Sequence, residues 1–150
     1  MTKQEFLSAS LPHGLMFINL NDNTIEQLSG IDTFLVANWK IPPYPNGTIC
    51  VYSSIDYSSM WSIDEIKLIL RPLSDLTKEI EHNGENIHVL TFLCEKYRYL
   101  DPHRLLAAIQ FGSVDFNIMM DLISLHFDVA GLIEKGEAID VNTLQENPYK

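Results

Sequence analysis

The feature that most limits the fold is a change of period along the chain. Short apolar runs cut by turn formers fill the first half, and helical spacing takes over in the second. Leu15 to Leu20, Thr24 to Leu28 and Thr33 to Trp39 are runs of the first kind, separated by Asn21-Asp22-Asn23 and Ser29-Gly30. Residues of those types accept the backbone angles of tight hairpins. The prolines of Ile41-Pro42-Pro43-Tyr44-Pro45-Asn46-Gly47 remove ladder donors, so no strand crosses that stretch, and a further strand resumes over Thr48 to Ser53. The expectation is an antiparallel β meander of about four or five strands. Its first run is apolar at nearly every position, which predicts burial on both faces.

Helix signals flank this region. Thr2 with Glu5 three residues later forms a capping box, predicting a short helix over 2–10 that Pro12 and Gly14 end. Ser62 and Glu65 repeat the pattern, and the spacing of Ile63, Ile66 and Leu70 is helical. Ile66-Lys67-Leu68-Ile69-Leu70 reads equally as a buried strand, and Arg71 before Pro72 favours extended backbone. One helical turn over 63–65 followed by a strand reconciles the two. A short helix is expected from Ser74 to His82, ended by Asn83-Gly84. Asp101-Pro102 predicts a helix from Pro102 to about Phe111, and Val114 to His126 carries the most apolar helical pattern in the chain. Asp128 is placed to cap another short helix through Lys135, closed by Gly136, and Ala138 to Val141 reads as a last strand. The fold class expected is α+β: one domain over 1–150, its N-terminal meander packed against a helix-rich C-terminal half.

Composition sets the function classes. Twenty acidic against ten basic residues give a net charge of −10. That sign repels phosphate backbones, and Lys40, Lys67, Arg71, Lys78, Lys96, Arg98, Arg104 and Lys135 are scattered, so direct nucleic-acid binding is not expected. Cys50 and Cys94 lack metal or redox spacing and read as small core hydrophobes. The N-terminal residues lack a signal-peptide pattern, and no run approaches the roughly 20 apolar residues that span a bilayer. The expected location is the cytoplasm, without membrane contact.

Three blocks are familiar together: Leu11-Pro12-His13-Gly14-Leu15, Ile66 to Thr77 and His126 to Asp140. In this order they resemble a group of short proteins encoded by bacteriophages and prophages of gut bacteria. The blocks lie at the start, middle and end, while Gly30 to Trp61 carries no recognised motif. The group often has proline where Leu68 stands and an apolar residue where Glu137 stands. The resemblance implies a mobile-element origin and brings no catalytic residues with it.

Candidate chemistry is sparse. His82 and His88 flank Asn83-Gly84-Glu85 at a spacing unlike a helical zinc pair, and His82 reads as a helix C-terminal residue. His126 and Asp128 bracket Phe127 and could form an oriented acid–base couple; the alternative is that each finishes a helix. Asp140 could pair with Arg71 in a structural ion pair. His13 belongs to a Pro-His-Gly bend. Phosphate-cradling glycine motifs and a nucleophile elbow are absent from the sequence, so no cofactor and no metal are expected. Trp39, Tyr44, Tyr52, Tyr57, Trp61, Tyr97 and Tyr99 include several near the proline loop, where they form either a contact surface or the edge of a core. The leading expectation is a non-catalytic phage or prophage accessory protein that contacts an unidentified protein partner. Its rivals are an enzyme using His126 and Asp128, and an acidic decoy that inhibits a DNA-binding protein.

Overall fold

The computed structural model describes residues 1–33, 44–45, 47–53 and 59–150. The fold is α+β, with antiparallel-rich sheets first and most helices later, as the change of period predicts. The chain forms two units, Met1–Ile69 and Leu70–Lys150.

In the first unit, α1 (Lys3–Ser10) begins at a complete capping box: the Glu5 amide donates to Thr2 Oγ1 at 3.2 Å, and the Thr2 amide donates to Glu5 Oε2 at 2.7 Å. It buries Phe6 and Leu7, and Lys3 Nζ donates to the carbonyls of Ile63 and Ile66 at 2.6 and 2.7 Å. Gly14, at φ 69°, then turns the chain where a β-carbon would lie 2.9 Å from the Gln27 side-chain nitrogen. Strands β1 (Met16–Asn19) and β2 (Ile25–Gln27) form an antiparallel hairpin.

The expected single meander is corrected at this point. The other neighbour of β1 is not the next strand in sequence. Phe17 faces Leu68 of a strand that begins far downstream, after the capped turn Ile63–Glu65. Instead β3 (Gly30–Thr33), β4 (Ile49–Tyr52) and β5 (Met60–Ser62) form a separate antiparallel sheet. Within β1, Phe17 is buried while Met16 and Ile18 are partly exposed. The alternation is that of a one-faced antiparallel strand, which corrects the expectation of burial on both faces. Phe17 meets Trp61 edge to face, ring centroids 5.4 Å apart. Most of the expected run Thr33 to Trp39 lies outside the described residues. The downstream strand is β6 (Ile66–Leu70), and its helical-turn-then-strand pattern is the one expected.

In the second unit, a 3₁₀ turn over Leu73–Thr77 leads into β7 (Glu79–His82) and β8 (Glu85–His88), paired antiparallel. The helix expected over 74–82 is therefore not formed. Its last residues alternate, with Ile80 buried between exposed Glu79 and Glu81, and Asn83 and Gly84 (φ 51° and 79°) make a two-residue hairpin turn. Helix α2 (Val89–Tyr97) ends at Arg98, whose φ of 56° is left-handed. Asp101 caps α3 (Pro102–Gln110), accepting from the His103 amide at 2.9 Å. Asp115 caps α4 (Phe116–Ser124). The core joins Ile80, Val89, Leu93, Leu105, Ile118 and Leu122 with Phe127. Burying each such side chain contributes about 1.5–3 kcal/mol. After α4 the expected helix over 128–135 is replaced by successive turns, because Gly131 takes φ 66° inside it. Gly136 is left-handed as expected, and β9 (Ala138–Asp140) follows.

Among the described residues no helix is long and apolar enough to cross a membrane.

Candidate functional site

The sequence singles out His126 and Asp128, and the structure gives them different tasks. His126 lies just past α4 at φ 66° and is buried. Its carbonyl accepts from the Arg71 amide at 2.8 Å, and the Arg71 carbonyl accepts from the Asp128 amide at 2.9 Å. This ladder sets Arg71 beside Phe127 as a parallel bridge. The imidazole of His126 stacks on Tyr149, ring centroids 4.1 Å apart, with the His82 ring 5.3 Å away.

Asp128 points elsewhere. Its Oδ1 accepts from the Leu132 amide and its Oδ2 from the Ile133 amide, both at 2.8 Å. Both carboxylate oxygens thus hold the turns over 129–135. A carboxylate that orients a general base must bond the imidazole; here it bonds backbone.

Arg71 completes a cluster the sequence did not reveal. Its Nη2 donates to the Glu81 carbonyl at 2.7 Å, and its guanidinium carbon lies 5.4 Å from the centroid of the Tyr149 ring. Tyr149 is fixed by the Asn83 amide, which donates to its carbonyl at 2.9 Å, and by its own amide, which donates to Asn147 Oδ1 at 2.9 Å. Arg71, His126 and Tyr149 are all buried, and His82 is half-buried. Burial, and then the charge of Arg71, lowers the His82 pKa from its ordinary value. Burial likewise lowers that of Arg71, opposed by Tyr149 and Asp75. Arg71 Nε and His82 Nδ1 are buried with no hydrogen-bond partner among the described residues. The cluster is cationic and aromatic, and its surroundings favour the neutral form of the His82 imidazole.

Other candidates separate. The expected Arg71–Asp140 pair is not made: Asp140 accepts from the Asn142 amide at 2.9 Å, while Asp75 takes Lys78 Nζ at 2.5 Å and Asn142 Nδ2 at 2.7 Å. The expected placing of His82 at a helix end is also corrected, since it closes β7. His82 faces Glu85 and His88 faces Glu79 in the hairpin register, so the two imidazoles sit at opposite ends of it. His88 Nε2 lies 3.0 Å from Glu79 Oε2 on the surface. His13 ends the 3₁₀ turn Leu11–His13 ahead of Gly14.

Of the aromatics, Trp39 and Tyr57 lie outside the described residues. Tyr44 donates to the Glu65 carboxylate, and burial followed by that bond pushes its phenol up to about 12. Tyr52 is buried and Trp61 packs on Phe17, so these belong to core edges.

Tyr97 and Tyr99 behave differently. Tyr97 donates to Asp121 Oδ2 at 2.8 Å, while Tyr99 is exposed. Between α2 and α3 they border an open groove of about 410 Å³, lined also by Arg98, Leu100, Asp101 and Arg104. Leu100 has a relative exposure of 101%, the largest of the exposed apolar side chains among the described residues. The sequence reading missed this site because it missed α2. The signal was present in Val89 and Leu93, four apart and both buried, ahead of the Asp101-Pro102 cap.

A second groove of about 440 Å³ is bordered by Pro72, Leu73, Asp128 and Val129. Two acidic residues line it: Asp128, whose carboxylate is already bonded to two amides, and the exposed Glu134.

Compared with protein-family models, curated proteins and solved structures, the chain matches none.

Proposed function

We propose that this chain is a non-catalytic interaction module of a phage or prophage, contacting another protein through the corner between α2 and α3. The mobile-element origin rests on the sequence resemblance; the observation that supports the contact is Leu100, a large apolar side chain held wholly in solvent beside an open groove. Its backbone is anchored on both sides: the Tyr99 amide donates to the Cys94 carbonyl at 3.0 Å, and Asp101 caps α3. With the backbone of this corner fixed, association costs mainly the rotamer entropy of the side chain itself. Exposed aromatic and aliphatic anchors of this kind are what interfaces bury.

The rival readings have less support. An acid–base couple needs Asp128 on His126, and each oxygen of Asp128 holds a backbone amide instead. A decoy needs free carboxylates, and many of the acidic residues are engaged within the fold: Asp101, Asp115 and Asp140 cap helical turns, Asp75 and Asp121 hold lysines, and Glu65 closes a capping box.

The test is a photo-crosslinking residue placed at Leu100, with a second at Glu85 on the exposed hairpin as control, in cells carrying the mobile element. A discrete adduct from position 100 that is missing from position 85 is the expected result. Equal, diffuse labelling from both positions sinks the reading.

A further inference from the structure

We infer that the α2–α3 groove is built for a short acidic peptide segment carrying a large apolar residue. This rests on the interaction reading above and adds the chemistry of the partner.

The argument starts from where the positive charges go. In a chain of net charge −10, each cation left without a close carboxylate is notable. Lys78 and Lys96 are held by Asp75 and Asp121, at 2.5 and 2.7 Å. Lys3 and Lys135 spend their ammonium groups on backbone carbonyls, and Arg71 is buried. Arg98 and Arg104 both line the groove; of the two, Arg104 has a carboxylate nearby, in an exposed pair with Asp101. Arg98 is exposed, and Arg104 Nε lies 3.7 Å from Asp101 Oδ2, with its side chain 87% exposed. That separation is beyond hydrogen-bond reach. The Asp101 carboxylate accepts from the His103 amide through Oδ1 at 2.9 Å, and its Oδ2 is left to a long, solvent-exposed contact with Arg104.

Two exposed guanidinium groups, one of them in a long surface contact with Asp101, therefore stand beside the exposed side chains of Tyr99 and Leu100. Guanidinium groups bind carboxylates in bidentate fashion. The matching occupant is a carboxylate-bearing segment whose apolar side chain covers Leu100. A basic segment would meet two like charges at contact distance. Asp101 also lines the groove and offsets one of the two guanidiniums at contact, while the other acidic residues act at longer range, where screening over about 8 Å at physiological salt weakens them. Contact charges win under those conditions.

The test uses fluorescence anisotropy on the full chain at physiological salt with three labelled nonapeptides. Each has a central Leu-Phe pair, flanked by glutamates, by lysines or by serines. The glutamate peptide is expected to bind best. The double variant Arg98→Ala/Arg104→Ala is expected to weaken that binding about tenfold, as two exposed ion pairs contribute together. Leu100→Ser is expected to weaken the glutamate and serine peptides alike. Circular dichroism on both variants guards against a folding defect, and Arg98→Lys/Arg104→Lys, which keeps the charges, should recover part of the affinity.

A preference for the lysine peptide that Leu100→Ser abolishes overturns the acidic partner while leaving an interaction site. Concentration-dependent self-association that the double arginine variant abolishes makes the occupant a second copy, and also overturns it. Failure of all three peptides overturns the inference; the crosslink at position 100 then decides separately whether the interaction reading survives.

Discussion

Arg71 on one side, and Arg98 with Arg104 on the other, carry the same guanidinium into opposite surroundings. Arg71 is buried beside Tyr149, His82 and His126, with one nitrogen on the Glu81 carbonyl. Arg98 and Arg104 stand at the rim of an open groove. The buried group cannot exchange partners, so its charge is spent on architecture: it ties together β7, the bridge beside Phe127 and the segment around Tyr149. The rim groups stay in water, where even the exposed Arg104–Asp101 contact can be exchanged for another molecule. Desolvation separates the two roles, since a charge removed from water must be matched inside the fold, while one left in water can wait for a ligand.

The widest gap between the two regions should appear in stability. Arg71→Ala removes a buried chain, leaves the Glu81 carbonyl without its donor and opens a void under Tyr149, so it is expected to lose about 2–4 kcal/mol in urea denaturation. Arg71→Met should lose less than half of that, because it refills the space that alanine leaves empty. If alanine there proved as harmless as alanine at Arg98, the division into buried and rim roles would collapse.

A smaller effect should follow pH, and near neutrality it should come from the buried region. Burial and Arg71 hold the His82 imidazole below its ordinary value of 6.5, so the unfolded chain takes up that proton first as the medium is acidified. The stability linked to neutral His82 is fully present above 6.5 and declines as pH drops through 6.5 toward the lowered folded value. Urea midpoints between about pH 7.5 and about pH 5 should fall with acidity, and His82→Gln should flatten that slope. Glu5, held low by the Thr2 amide, and Asp22, held low by the Thr24 hydroxyl, act in the same direction but only at more acid pH. An unchanged slope in His82→Gln would show that the cluster does not exclude the imidazolium.

The two regions also differ in how much of them could be read beforehand. Capping boxes at Thr2–Glu5 and Ser62–Glu65 and the Asp101-Pro102 start are local, each decided by residues within one turn, and all three form. Pairing is not local. Nothing near Phe17 says that its neighbour will be Leu68 rather than a residue of the next run, so one expected meander became two antiparallel groupings. The stretch 74–82 shows the same limit at short range: helix-compatible residues follow period two once Asn83-Gly84 closes a hairpin. For the site, Asp128 could be read as a cap from its position alone. The joining of Arg71, His82, His126 and Tyr149 could not, because four positions spread over the second unit meet only after folding. The groove was hidden for another reason, since its residues carry no reactive group and only exposure marks them.

The finest test of the comparison is Arg98→Gly. At φ 56° the Arg98 backbone sits where a β-carbon is strained and glycine is not. Removing the side chain should therefore raise stability by about 0.5–1 kcal/mol, seen as a higher urea midpoint, while weakening the glutamate peptide. Arg98→Ala keeps the strain and should weaken the same peptide with no gain in stability. A rim residue chosen for folding alone would have been replaced at no loss by the residue its backbone prefers. Gain in stability together with loss of binding is the combination expected if the arginine is kept for contact. If Arg98→Gly leaves binding intact, Arg104 and Leu100 carry the groove between them, and the contrast with Arg71 rests on one guanidinium instead of two.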